Sequence, residues 1–154
     1  MRSSSSSARE GEALAGFGAF VRRGLAALRA ELPWAFGAMA RALDGRDVLL
    51  VVDGEPVAVR AAAGDVAVLD AVATFAPCVT LHTRAAAVLR LADGELTVVD
   101  ATLDGSLALT GAVDDLVAFH DGLMAFLHGA VRSPSFPSLL DQFRRYATRE
   151  ERPP

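Results

Sequence analysis

The chain has 154 residues and a mass of 16.1 kDa, enough for one domain that buries roughly 68–70% of the surface its unfolded form exposes. A net charge of −4 and an isoelectric point near 5.3 exclude the clustered positive charge that nucleic-acid binding needs. The single cysteine, Cys78, excludes an internal disulfide and points to a cytoplasmic setting, while the absence of lysine excludes Schiff-base chemistry.

Residues 1–10, MRSSSSSARE, lack the apolar core of a secretory signal and read as a disordered serine-rich tail. A single domain is expected over 11–148, with 149–154 frayed. From Glu12 to Leu32, Leu14, Phe17, Val21, Leu25 and Leu28 recur at three- and four-residue steps opposite Arg22, Arg23 and Arg29, which predicts an amphipathic helix. Its arginine face reads as solvated, or as a transient contact with an anionic membrane surface. Trp34 to Leu43 predicts a second helix, ended by Asp44-Gly45.

The period then changes to that of strands. Asp47–Val52 and Pro56–Ala62 flank Asp53-Gly54-Glu55, a hairpin signal because Gly54 accepts a positive φ. Val66–Ala71 and Val79–Thr83 follow, and together these four runs predict a meander. Cys78, just before the fourth run, reads as a small buried hydrophobe, with a reactive thiol as the alternative. Thr83 is placed to cap a helix over Arg84–Ala92.

Leu103 to Thr110 alternates, with Leu103, Leu107 and Leu109 on one side, and predicts a fifth strand. Val113 to Val131 predicts a strongly apolar helix in which Gly122 is a weak point, and Phe136 to Tyr146 a final amphipathic one. No apolar run reaches the roughly 18–20 residues of a membrane-spanning helix. The overall hydrophobic content of 52% and mean hydropathy of +0.32 fit either a greasy cavity or simple alanine richness.

Few residues suggest chemistry. His120 and His128 sit eight apart, about 80° round a helix and over two turns distant, so they cannot share an ion. His120 and Asp121 are sequential, hence on different faces, and no nucleophile motif stands near them. His82 falls on the polar side of its strand. Asp100, Asp104, Asp114, Asp115 and Asp121 scatter near the last strand, but Asp104 belongs to an Asp-Gly turn and Asp114-Asp115 to a helix start. No glycine-rich phosphate loop occurs. No catalytic residue, metal site or cofactor is expected.

The order strand (Val79–Thr83), short helix, GELTVVDATLDGSLALTG (94–111), apolar helix resembles the sterol carrier protein 2 (SCP2) family of lipid-binding domains, over roughly Leu32 to Leu140. The chain departs from the family pattern at Pro77-Cys78, where an Ala-Asp often precedes the strand. Such domains are usually helical over Leu96–Leu103, and a helix is expected there on that resemblance, although Thr97, Val98, Val99 and Thr102 favour a strand locally. The resemblance implies an α/β (α+β) fold, a curved, mostly antiparallel five-stranded sheet covered by helices that enclose an apolar tunnel. It also implies non-catalytic binding or carriage of a sterol, fatty acyl chain or isoprenoid-type lipid. The residues suited to line that tunnel are Val79, Leu81, Leu103, Leu107, Leu109, Leu116, Phe119, Leu123 and Phe126. A second reading is a structural or homodimerising accessory module in lipid or isoprenoid-quinone metabolism, with a filled core. A third is a small hydrolase or isomerase around His120 and the aspartates.

Overall fold

The computed structural model describes residues 14–70 and 75–151. The expected tail, the proposed helix start at Glu12 and the strand end at Ala71 lie outside them. Six helices and five strands are described, in the order α1 (Phe17–Glu31), α2 (Pro33–Leu43), β1 (Arg46–Val52), β2 (Glu55–Ala62), β3 (Asp65–Leu69), β4 (Val79–Thr83), α3 (Ala85–Ala92), α4 (Val98–Leu103), β5 (Ala108–Gly111), α5 (Val113–Ala130) and α6 (Phe136–Glu150).

The sheet order is β3-β2-β1-β4-β5, with β4 parallel to β1 and every other pair antiparallel. The four-strand meander therefore stops at β3, and β4 returns to the far side of β1. Periodicity specifies which way a strand faces but not its neighbour. The clue was Val48–Val52, five apolar residues in a row, which have apolar groups on both faces as a central strand does. Register makes the crossover short, since Leu69 at the end of β3 pairs with Ala58, which pairs with Leu49, while β4 starts opposite Val48. Nine residues reach up to roughly 30 Å, ample for three strand spacings of about 4.8 Å each.

The β1–β2 turn is Asp53-Gly54, at φ 50° and 83°, between paired Val52 and Glu55. Two positive φ values give the strand twist a two-residue hairpin needs. Its carboxylates serve two helices. Glu55 Oε2 accepts from Phe17 N–H at 2.6 Å, and Asp53 Oδ2 accepts from Ala85 N–H at 3.2 Å. Asp53 thus takes the role expected of Thr83, whose hydroxyl instead donates to the Ser106 carbonyl at 2.7 Å. Burial pushes the nearby Tyr146 hydroxyl up, and the charges of Glu55, Glu150 and Asp53 add to that.

Leu96–Leu103 is helical in its second part, because Thr97 Oγ1 accepts from Asp100 N–H at 3.1 Å and so fixes the first turn of α4 despite the β-branched residues. The expected fifth strand shortens accordingly. Leu107 N–H donates to Ala101 O and Ser106 N–H to Asp104 Oδ1, so the ladder begins only at Ala108.

One sheet face carries Val48, Val52, Val57, Val59, Ala61, Val66, Val79 and Leu81, all buried beneath helices. α5 lies along α2 in close contact. A Cβ on Gly122 would come within 2.6 Å of Leu43 Cγ, and one on Gly129 within 2.8 Å of Ala35 Cβ and against Leu28. Gly122, expected to be a weak point, is a notch that admits a neighbouring helix. α6 packs on α1 through rings: Phe20 and Phe143 stack at 4.5 Å between centroids, with Phe17 and Phe136 beside them.

Candidate functional site

Between the helix-covered face of the sheet and the helices lies a cavity of about 160 Å³. Its floor is Val48, Leu50, Val52, Val59, Val66, Leu81 and Leu107, and its roof Phe119, Leu123, Phe126 and Leu127 of α5. α1 contributes Phe17, Phe20, Val21 and Leu25, α2 Met39 and Leu43, α6 Phe136, and α3 Val88, Leu91 and Ala92. Among the described residues, Thr83 is the only one in the lining with a polar side chain. Its hydroxyl proton is committed to Ser106 O.

The wall is not uniformly sealed. Residues from the sheet and α2 are mostly buried, whereas Val88, Leu91 and Ala92 on α3 and Leu123, Phe126 and Leu127 on α5 are half-buried. The α3 and α5 residues are thus the least covered part of the lining. Phe126 meets Phe136 edge-on at 5.8 Å, closing the side toward α6. No charged group stands in this lining, and the Thr83 hydroxyl can only accept, so affinity there comes mainly from apolar area, about 25 cal/mol per Å² removed from water. A cavity of this order is dry and accepts a molecule the size of benzene.

Five of the nine residues expected to line a tunnel, Leu81, Leu107, Phe119, Leu123 and Phe126, come together in this wall. Four do not. Leu103 ends α4 with 81% of its surface exposed, because the segment is a helix and not the start of a strand. Val79 and Leu116 pack around Gly111, two residue pairs beyond Leu81 and Leu109 along β4 and β5. Leu109 shares the face of Leu81 but lies on the edge strand, where the cavity does not extend. α1, α2 and α3 also contribute, and amphipathic spacing alone does not distinguish a cavity wall from packed core. The spacing of Val88, Leu91 and Ala92 was the available signal.

The polar residues are dispersed. His120 Nδ1 and Asp121 Oδ1 do approach, at 3.5 Å, but on the surface with side chains 45% and 63% exposed. Asp115 pairs with Arg46 at 3.1 Å, away from Asp104, whose carboxyl is held below the usual range by Ser106. His82 and His128 are exposed. Cys78 is half-buried, and its thiol donates to Asp47 O at 3.3 Å. On α1, Arg22 is bonded to Asp70, Arg29 to Asp65 and Arg23 to Gln142, so this face is tied to β3, the residue after it and α6. Among the described residues no helix is long and apolar enough to cross a membrane.

A mostly antiparallel sheet with helices over one face and an apolar cavity between them defines an α+β fold class. No protein-family model and no curated protein sequence matches the chain. Solved structures do. A UbiJ-SCP2 ubiquinone synthesis protein aligns at TM-score 0.52 and 19% identity, over 73% of this chain and 96% of its own. A conserved hypothetical protein of Thermus thermophilus, described as possibly a sterol carrier protein, aligns at 0.50 and 16% identity, over 81% and 98%. The chain has the SCP2-like fold.

Proposed function

We propose that the protein binds a hydrophobic molecule in the cavity between sheet and helices, and performs no chemistry on it. The observation that carries this reading is a wall with one hydroxyl and otherwise only apolar side chains, least covered along α3 and α5. The description of the Thermus relative as possibly a sterol carrier protein agrees with it. At about 160 Å³ the cavity falls below the roughly 300 Å³ at which small-molecule pockets begin, so a lipid chain enters with its end first and leaves the rest between α3 and α5, or parts those helices. The ligand wall is formed by Leu81, Leu107, Phe119, Leu123 and Phe126 together with Phe20, Met39, Val88 and Leu91.

The test is titration with a fluorescent fatty acid or sterol analogue, alongside mass spectrometry of organic extracts from the purified protein. A saturable signal is expected, weakened about tenfold by Leu123→Ser with little change in melting temperature, because Leu123 is half-buried. Absence of any saturable signal, with extracts free of lipid, would leave a filled core and an accessory structural role.

A further inference from the structure

A second cleft, of about 550 Å³, lies on the opposite side of α3 from the apolar cavity. Its lining is polar where the first is greasy. Arg84, the residue before α3, and Arg90, in its last turn, are both exposed there, with His82 on β4 and Ser106 from the α4–β5 turn. Space between them exists because the residues in between are small: Ala86 and Ala87 on α3, Gly105, and Ala108, which pairs with His82 across the sheet.

The cleft brings two unpaired guanidinium groups to one place. Arg22, Arg29, Arg46, Arg60 and Arg144 each have an aspartate partner, whereas the side chains of Arg84 and Arg90, like those of Arg41 and Arg145 elsewhere, form no ion pair or hydrogen bond among the described residues. Among the described residues the one carboxylate in the lining, Asp104, accepts from Ser106 N–H at 2.7 Å and feels the charge of Arg90 only at longer range. Two guanidinium groups against one carboxylate leave the cleft positive on a chain of net charge −4. Guanidinium forks suit the paired oxygens of phosphate and carboxylate groups, and the small floor leaves room for them.

We propose that this cleft is a second binding site, for the oxyanion group of a small molecule, phosphate or carboxylate, held between Arg84 and Arg90. Thr83 lines both clefts, so α3 stands as a partition with Val88 and Leu91 toward the apolar side and the arginines toward the other. The site does not depend on what fills the apolar cavity.

The experiment is an amide NMR titration at constant ionic strength with inorganic phosphate and, separately, acetate, neither of which has a tail for the apolar cavity. Saturable shifts are expected over 82–90 and 105–108, and the tighter of the two ions identifies the group. Arg84→Gln and Arg90→Gln should each weaken binding about tenfold, the loss of a charge-assisted contact. Arg145→Gln, which removes an exposed arginine of α6, should leave it unchanged. Shifts that do not saturate, or that are the same in all three variants, would overturn the proposal, and the dispersed spectrum of each variant reports its fold in the same measurement.

Discussion

The two sides of α5 use side chains of opposite size. Toward α2 and the end of α1 it presents Gly122 and Gly129, and the helices close until Leu43, Leu28 and Ala35 stand against its backbone. Toward the sheet and α3 it presents Phe119, Leu123, Phe126 and Leu127, and a cavity remains. Large apolar residues do not guarantee a filled core, because they also hold neighbouring elements apart; small ones bring backbones together. Close packing is costly to disturb, while a cavity wall tolerates change.

That contrast can be broken most directly at Gly129. Gly129→Val places new methyl groups against Leu28 and Ala35, and should destabilise by about 3 kcal/mol, the upper end of overpacking. In a domain of this size that lowers the thermal midpoint by roughly 6–12 °C, readable by circular dichroism. An unchanged midpoint would mean the seam is looser than described.

On the other side, Val88→Phe should extend into empty space. Stability is expected to stay level or rise by about 0.5–1 kcal/mol, as cavity filling does, while affinity for a fluorescent lipid analogue falls at least about tenfold. A drop in midpoint similar to that of Gly129→Val would erase the distinction between the two sides.

A change remote from both sharpens the comparison. Ala63 sits at φ 53°, a left-handed conformation that costs an L-residue roughly 1–2 kcal/mol, against about 0.5–1 kcal/mol of extra chain entropy for glycine. Ala63→Gly should therefore raise stability by about 0.5–1 kcal/mol and leave lipid affinity untouched.

The smallest effect belongs to Glu31. Ser135, with Ser133, holds its carboxyl below the usual range, through a bond from Ser135 N–H at 2.9 Å and one from the Ser133 hydroxyl at 3.0 Å. A depressed folded pKa gives stability that is present above the unfolded value and lost as pH falls through the folded one. Wild type should thus lose a little midpoint below about pH 4.3, and Glu31→Gln should show a flatter acid limb with a slightly lower neutral midpoint.

How much of this the sequence carried follows from what repeats locally. The helices were visible in the spacing of Leu25 and Leu28 or of Phe136, Leu139 and Phe143, and the first hairpin in Asp53-Gly54, because each rests on neighbours in the chain. The SCP2-like likeness rested on the glycines and leucines of 94–111, which mark turns and a buried face. Beyond the chain's own neighbourhood the signal faded. The parallel pairing of β4 with β1 depends on which edge is free, the cap from Asp53 to α3 spans 32 positions, and the role of Gly122 depends on Leu43 of another helix. Leu103 was misplaced because alternation over eight residues outweighed the Thr97 cap. The cavity wall was half legible for the same reason: Phe119 and Leu123 stand out on an apolar helix, but whether Phe20 or Met39 touches another side chain or empty space is a property of the assembled volume.

The Asp53-Gly54 turn also bears on the order in which the chain assembles. Closing a two-residue loop carries little entropic cost, and hairpins form within microseconds, before distant segments meet. Once this one exists, Glu55 and Asp53 offer two acceptors to amides that lie 38 and 32 positions away in opposite directions along the chain. The start of α1 and the start of α3 then share one anchor. Helices whose first turns are the expensive step gain a template for that step, so loss of the two carboxylates should slow folding more than it speeds unfolding.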